Sequence, residues 1–142
     1  MSFILKKGKV RFEYLPIAAS LALVKGTLVE HGTATAGTIA AADADEAAES
    51  IAGVLAQTIA TTDADYATAK TVAVMVPKDK HCIWEVDTAD TYVEATHCGL
   101  EVGLADSANV DLDEVSADCF HVTGPGSTTL KVRGYLKING SY

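Results

Sequence analysis

Two runs of alternating apolar residues in the middle of the chain constrain the fold most strongly. The first run, residues 71–76 (TVAVMV), places a valine at every second position, and the second run, residues 82–86 (CIWEV), follows the polar segment 77–80 (PKDK). Alternation with a period of two is typical of β-strands, and two such runs joined by a short polar segment predict a β-hairpin. Pro77 is predicted to end the first strand because proline donates no ladder hydrogen bond. Trp84, the only tryptophan, is predicted to be the largest buried side chain.

Similar short runs, separated by turn residues, recur along the whole chain. Strands at short, regular intervals with turn signals between them are typical of an all-β barrel or sandwich. A capping pair at Asp43 and Glu46 allows one short helix near residues 44–50. We therefore predict an all-β fold, a small β-barrel, with at most one short helix. Further strands are predicted at residues 21–30, 51–59, 99–104, 110–113, 119–123 and 129–138, and residues 92–96 are predicted as a strand or a turn.

Length and composition narrow the class of protein. The 142 residues suit a single domain, and the 49% apolar content is rich in alanine, with only 6% aromatic residues. The core is therefore expected to consist of small and β-branched side chains. No apolar run approaches the roughly 20 residues of a membrane span, and the amino terminus lacks a signal-peptide pattern. Three cysteines, an odd number, indicate free thiols in a reducing cytosol.

Charge is distributed unevenly along the chain. The net charge is −8, but the first 12 residues carry +4, so the remaining 130 residues carry −12. Between His81 and Leu130 there are ten acidic residues and no Lys or Arg. The acidic balance argues against nucleic acid as the main partner, and a basic segment ahead of an acidic body favours docking onto an acidic protein surface. Solvated charges without a binding role explain the same pattern equally well.

The basic residues belong to a predicted N-terminal arm, residues 1–20, which precedes a single β-rich domain at residues 21–142. Chain termini are usually disordered unless something ties them down. Apolar residues at this end therefore predict that the domain itself or a neighbouring molecule holds the arm. We expect deletion of residues 1–14 to leave a folded protein that no longer binds its partner. The predicted contact residues of the arm are Phe3, Ile4, Leu5, Lys6, Lys7, Lys9, Arg11, Phe12 and Tyr14.

Most of the histidines and all the cysteines fall in three close pairs, a pattern that raises the question of a metal or a nucleophile. The pairs are His81 with Cys82, His97 with Cys98, and Cys119 with His121. Adjacent residues of a strand point to opposite faces, so only the third pair shares a face, and no CxxC or HxxxH spacing occurs. No local signature marks a catalytic cysteine, and no phosphate-binding glycine motif is present. We predict no metal, no cofactor and no enzymatic activity.

Calcium is a separate candidate, because residues 105–118 are rich in acids. Carboxylates are the ligands that Ca²⁺ prefers, but the ligand order and the turn glycine of an EF-hand are missing. An acidic loop is more often simply solvated, and we assign no calcium site from the sequence. The acids concerned are Asp106, Asp111, Asp113, Glu114 and Asp118.

Six short phrases follow one another in a recognisable order. They are residues 23–29 (LVKGTLV), 51–55 (IAGVL), 72–86 (VAVMVPKDKHCIWEV), 99–102 (GLEV), 118–124 (DCFHVTG) and 132–136 (VRGYL). Together they resemble the head decoration (cement) proteins of tailed bacteriophages, and the resemblance covers residues 21–138. The phrases are apolar or glycine-containing and carry no catalytic signature. The resemblance implies a small β-barrel or β-tulip-like core with an extended N-terminal arm, which typically adds strand pairing to a neighbour.

The same resemblance implies a structural function in the virion. Such proteins are made in the host cytoplasm, sit on the outer capsid surface and bind the major capsid protein. They often form homotrimers, hold capsomers against internal DNA pressure, and need neither nucleic acid nor membrane. A protein that works by contact needs edge strands, apolar anchors and complementary charge, which agrees with the patterns above. Two alternatives stay open: another virion part, such as a tail-tube or head-completion protein, and a metal- or ligand-binding β-barrel.

Overall fold

The structure is a computed structural model that describes residues 3–31, 37–44, 50–115 and 119–138. These residues form eleven strands and one helical turn, so the predicted all-β class is confirmed. The strands are β1 (Ile4–Lys7), β2 (Val10–Ile17), β3 (Leu28–His31), β4 (Ile39–Ala41), β5 (Ile51–Leu55), β6 (Lys70–Pro77), β7 (Ile83–Thr88), β8 (Glu101–Asp106), β9 (Asn109–Asp111), β10 (Phe120–Pro125) and β11 (Lys131–Leu136), and the helical turn is α1 (Glu94–His97).

The strands close into two small barrels. The N-terminal barrel has the order β2-β4-β3-β5-β6, with β6 returning to pair with β2. The C-terminal barrel has the order β7-β11-β10-β8-β9 and is closed by a parallel pairing of β9 with β7. Strand β1 is added to the C-terminal barrel, next to β7. The sequence predicts a barrel, and the presence of two of them was not predicted.

Each barrel has its own interior, and the two are joined by a shared apolar layer. Alternate residues of β6 point into the N-terminal barrel, where Val72 and Val74 are fully buried. The larger core lies in the C-terminal barrel around Trp84 and Phe120, and Val54 of the N-terminal barrel packs into it from outside. Trp84 is the largest fully buried side chain, as the sequence predicts. Burial of an aliphatic side chain contributes about 1.5–3 kcal/mol, so these two cores are the main source of stability.

The predicted hairpin between the two central runs is wrong. Both runs are strands, but β6 pairs with β2 and β5, whereas β7 pairs with β1, β11 and β9. The polar segment after Pro77, which ends β6 as predicted, carries the chain from one barrel to the other. Alternation identifies a strand but does not specify its neighbour, and here both edges of each strand are occupied by other strands.

The predicted N-terminal arm also differs from what is observed. Residues 4–17 form β1 and β2, which pair in turn with β7 and β6, so this segment spans both barrels. At the crossing, the Lys9 carbonyl oxygen accepts hydrogen bonds from the Lys78 backbone N–H at 3.2 Å and from Cys82 Sγ at 2.7 Å. The sequence predicts that either the domain itself or a neighbouring molecule holds this segment. In the structure, the strands of the domain itself hold it. Deletion of residues 1–14 would remove β1 and most of β2 and open the N-terminal barrel.

Three smaller expectations have different outcomes. The predicted helix at 44–50 falls mainly on residues 45–49, which lie outside the described residues, while β5 confirms a strand that begins at Ile51. Of the strand or turn predicted at residues 92–96, the structure shows a helical turn at residues 94–97, where His97 Nδ1 accepts a hydrogen bond from the Val93 backbone N–H at 2.9 Å. No helix in the described part of the chain is long and apolar enough to cross a membrane.

Candidate interaction surface on β1 and β2

The apolar residues of β1 and of the position before it serve the protein's own core. Phe3 is only 2% exposed and meets Phe120 edge to face, with 6.1 Å between ring centroids. Leu5 packs against the same core, and the Phe3 backbone N–H donates to the Gly26 carbonyl oxygen at 2.9 Å. In this conformation Phe3 and Leu5 anchor the chain terminus, and they offer little surface to a partner.

A buried carboxylate fixes the position of β1 further. Glu85 on β7 is 3% exposed, and its Oε1 lies 3.8 Å from Lys6 Nζ. Its Oε2 accepts from Arg133 Nε at 3.1 Å and from the Ser127 backbone N–H at 2.9 Å, and Ser127 Oγ donates to Oε1. Burial raises the pKa of Glu85, but the hydrogen bonds from Arg133 and Ser127 and the charge on Lys6 outweigh it. The pKa of Glu85 is therefore below its ordinary value.

The outer face of β2 is different, because its aromatic residues are exposed. Phe12 is 57% exposed and Tyr14 is 69% exposed. Phe12 lies opposite Met75 in the ladder with β6, and Tyr14 lies opposite Ala73. We call these four residues the β2 strip. Two large aromatic side chains next to one another on a sheet face are unusual for a surface that meets only water.

A cleft of about 340 Å³ lies next to the β2 strip. Met75 belongs to both, since it lines the cleft and lies opposite Phe12. Ile4, which is exposed, lines the cleft from β1, and Lys25 and Gly26 line it from the turn before β3. The strip and the cleft together form an apolar surface that begins at β1 and continues along β2.

Basic side chains border this surface. Lys7 and Lys9 are exposed, and within the described part of the chain neither ammonium group has an acidic partner. Arg11 Nε lies 3.1 Å from Glu13 Oε1 in an exposed ion pair, which contributes at most about 1 kcal/mol to stability. Of the nine predicted contact residues, the structure therefore buries Phe3, half-buries Leu5 and exposes the others, although Lys6 and Arg11 already have acidic partners.

The cysteines are separated and serve local roles. Cys82 is buried and bonds to the Lys9 carbonyl oxygen, Cys119 is buried, and Cys98 Sγ lies 3.5 Å from the Thr123 carbonyl oxygen. His121 stacks on Tyr135, with 4.6 Å between ring centroids. Among the described residues the structure brings no set of three His and Cys side chains together as metal ligands.

Three carboxylates do approach one another at one end of the C-terminal barrel. Atoms of Asp90, Asp111 and Asp113 lie within 4.8 Å of each other. The sequence singles out Asp111 and Asp113 but misses Asp90, which the parallel pairing of β9 with β7 brings close. Asp106 instead caps its own turn, with the Ala108 N–H donating to its Oδ1 at 2.8 Å, and Asp118 lies outside the described residues. Asp113 is exposed and the other two are half-buried, and since acidic groups at a protein surface are common without an ion, we assign no metal site.

No protein-family model matches the chain, and no curated protein sequence is significantly similar to it.

Proposed function

We propose that this protein is a structural virion protein that decorates and cements the outer surface of a tailed-phage capsid. The observation that carries the proposal is the β2 strip, in which Phe12 and Tyr14 are exposed and lie close in sequence to Lys7 and Lys9, two lysines without an acidic partner among the described residues. The resemblance to head decoration proteins supports the assignment of the partner, the major capsid protein. The same resemblance supports assembly as a homotrimer.

The residues of the β2 strip are suited to non-covalent binding of a partner. Aromatic side chains with few rotatable bonds lose little entropy on binding and are enriched among the residues that dominate interface affinity. Burying the exposed parts of Phe12 and Tyr14 contributes about 1–3 kcal/mol for each ring. Lys7 and Lys9 would attract an acidic capsid surface and raise the association rate. Modest affinity per copy is sufficient, because many copies on one shell all stabilise the assembled state.

Binding to heads tests the proposal directly. The protein is incubated with expanded heads of the phage that encodes it, and bound protein is measured by co-sedimentation and located by cryo-electron microscopy. The test variant carries Phe12→Ser with Tyr14→Ser, and the control variant carries Val93→Ser with Leu130→Ser. The control residues are similarly exposed but lie outside the β-strands: Val93 directly precedes α1, and Leu130 directly precedes β11.

We expect the wild-type protein and the control variant to bind the outer surface, and the Phe12/Tyr14 variant to lose affinity by at least about tenfold, as for removal of central interface aromatics. Density in the tail, or polymerisation of the free protein into rings or tubes, would instead favour a tail-tube or head-completion role. Equal binding of both variants would overturn the assignment of the contact to the β2 strip.

A further inference from the structure

The cleft of about 340 Å³ lies where the two barrels meet, and main-chain hydrogen bonds hold its walls. Phe3 and Leu5 line it from the side of the C-terminal barrel, and Met75 lines it from β6 of the N-terminal barrel. The Phe3 N–H donates to the Gly26 carbonyl oxygen at 2.9 Å, and the Gly26 N–H donates to the Leu55 carbonyl oxygen at 2.8 Å. Because these bonds connect the walls, the cleft is formed before any ligand binds, which lowers the entropy cost of binding.

The turn before β3 brings one cation to this cleft. The Thr27 N–H donates to the Val24 carbonyl oxygen at 3.1 Å, and Gly26 has φ of +94°, which glycine adopts without strain. The Lys25 N–H donates to Thr58 Oγ1 at 3.0 Å, so the backbone of the turn is fixed. The Lys25 side chain is exposed, lines the cleft and has no acidic partner among the described residues.

Apart from Lys25, the cleft presents an apolar surface. A polar ligand would lose its hydration here without gaining replacement hydrogen bonds, whereas an aliphatic chain gains by leaving water. A lysine stem can cover apolar surface while its ammonium group stays in water. The complementary ligand therefore has an aliphatic chain and one anionic end. The other lining residues are Phe3, Ile4, Leu5, Gly26 and Met75.

The donors of the turn limit the charge of that anionic end. The main-chain N–H groups of Phe3, Lys25 and Gly26 are already bonded within the protein. Phosphate sites usually combine several N–H donors or the fork of an arginine, whereas this turn offers a single ammonium group. A carboxylate carries one charge and is matched by one lysine.

We propose that this cleft binds an unbranched aliphatic monocarboxylate, with its chain against Phe3, Leu5 and Met75 and its carboxylate at Lys25. If each non-hydrogen atom takes about the 30 Å³ of a water molecule in the liquid, the cleft of about 340 Å³ holds about ten of them. Octanoate has this size and is the expected ligand length. The inference does not rest on the proposed function, although a ligand here would also cover Met75 of the β2 strip.

A series of chain lengths tests whether the cleft is occupied. Hexanoate, octanoate, decanoate and dodecanoate are titrated into the full chain with ¹³C-methyl methionine, and the Met75 signal is assigned with Met75→Leu. We expect a dissociation constant on the order of 1 mM for octanoate. Affinity should rise about fourfold per methylene up to octanoate and then level off, because further carbons extend into water. Affinity that keeps rising through dodecanoate would show non-specific adsorption and overturn the site.

Head-group and lysine variants test the anionic end. Lys25→Gln should weaken octanoate about twofold to fivefold, the range of an exposed ion pair, and Lys25→Arg should not. Octanol, which has no charge, should bind Lys25→Gln and the wild-type protein equally. Lys80→Gln is the matched control, because Lys80 is also exposed but does not line the cleft. Both positions are exposed, and urea unfolding followed by Trp84 fluorescence checks that the variants are folded.

The outcomes separate this inference from the proposed function. Affinity that levels off within the series and falls in Lys25→Gln supports the carboxylate site, whether or not the protein binds heads. A Met75 signal that does not move at about 10 mM octanoate, tenfold above the expected dissociation constant, overturns the site. If Lys25→Gln binds octanoate as tightly as Lys80→Gln does, the role of Lys25 is wrong, and the proposed ligand class is wrong with it. Neither of these negative results bears on Phe12 and Tyr14 as a contact with heads.

Discussion

Strands β1 and β2 are adjacent in sequence, but they have opposite environments. Both carry large apolar residues, while β1 contains two lysines and β2 contains one arginine and one glutamate. Around β1, Phe3 is buried against Phe120, and Lys6 approaches the buried carboxylate of Glu85. On β2, Phe12 and Tyr14 face outward, and nothing in the described chain covers them. The difference follows from what each strand pairs with and from what lies over its outer face.

Within this short segment, β1 contributes to the folded core, whereas the outer face of β2 remains exposed for binding. Strand β1 sits on the shared apolar layer between the barrels, so its side chains complete the core and hold the terminus. Strand β2 packs Leu15 and Ile17 into the core of the N-terminal barrel and exposes Phe12 and Tyr14 on its outer face. Changes in β1 should therefore reduce the free energy of unfolding, whereas changes on the outer face of β2 should affect only association.

The largest effect is expected for Phe3→Ala, compared with Phe12→Ala. Loss of a fully buried phenylalanine costs about 3–5 kcal/mol of unfolding free energy because a cavity remains in the core. The exposed Phe12 ring contributes little, so its removal should change stability by no more than about 0.5 kcal/mol. Urea unfolding followed by Trp84 fluorescence measures both. Equal losses of unfolding free energy in Phe3→Ala and Phe12→Ala would show that Phe3 is no more important to the core than the exposed Phe12.

The crossing between β1 and β2 should be nearly as sensitive. Gly8 has φ of +98°, and an added Cβ would lie 2.7 Å from Cys82 Cα, which is backbone. Gly8→Ala should cost about 2–4 kcal/mol, from left-handed strain and from overpacking. Gly37 is the matched control, since it has φ of +85° but nothing within 4 Å of the added Cβ. Gly37→Ala should therefore cost only about 1–2 kcal/mol in the same unfolding measurement.

If the two glycine variants are equally stable, Gly8 is not packed tightly against Cys82. The connection between β1 and β2 is then looser than the hydrogen bonds of Lys9 indicate. If Gly8→Ala alone is destabilised, the crossing is a rigid joint that fixes β1 and β2 in their separate barrels.

A third comparison contrasts two glutamates. Glu85→Gln leaves Arg133 and Lys6 without their buried carboxylate and should cost about 1.5–3 kcal/mol, as for other hydrogen bonds to charged groups. Glu13→Gln removes only an exposed ion pair and should cost less than about 1 kcal/mol. Urea unfolding at neutral pH compares the two variants with the wild-type protein.

The pH dependence of Glu85 has a definite sign. Its folded-state pKa lies below the ordinary value of 4.5, so the carboxylate stabilises the fold fully above that value. The contribution is lost as the pH falls below 4.5 and through the lowered folded-state pKa. The unfolding midpoint of wild-type protein should therefore decrease over this acid range more steeply than that of Glu85→Gln. Parallel pH profiles would show that Glu85 does not hold β1 electrostatically.

The sequence predicts the strands of this fold well, because burial on one face of a sheet imposes alternation. Strand β6 shows this: Val72, Val74 and Val76 are all buried inside the N-terminal barrel. The sequence does not predict which strands pair, because pairing depends on contacts between segments that are distant in sequence. The sequence therefore predicts that β6 and β7 exist but assigns them wrongly to one hairpin, and it does not predict the second barrel.

The candidate surface was predictable only in part for the same reason. The basic and apolar character of residues 3–14 is visible in the sequence, but Phe3 and Phe12 are equivalent by composition. Only the position of each residue relative to the barrels makes one a core residue and the other a surface residue.

The smallest effect on stability, and the most specific for binding, is expected from Lys7 at the end of β1 and Lys9 just before β2. Lys7→Glu with Lys9→Glu should change the free energy of unfolding by no more than about 0.5 kcal/mol, because both side chains are exposed. If these charges attract an acidic partner, the association rate with heads should fall about threefold to tenfold at low salt, and the difference should shrink as salt is raised. Stopped-flow light scattering measures the rate. The variant Lys7→Arg with Lys9→Arg keeps the charge and should associate like the wild-type protein. A slow arginine variant would mean that shape at Lys7 and Lys9, not charge, controls docking beside β2.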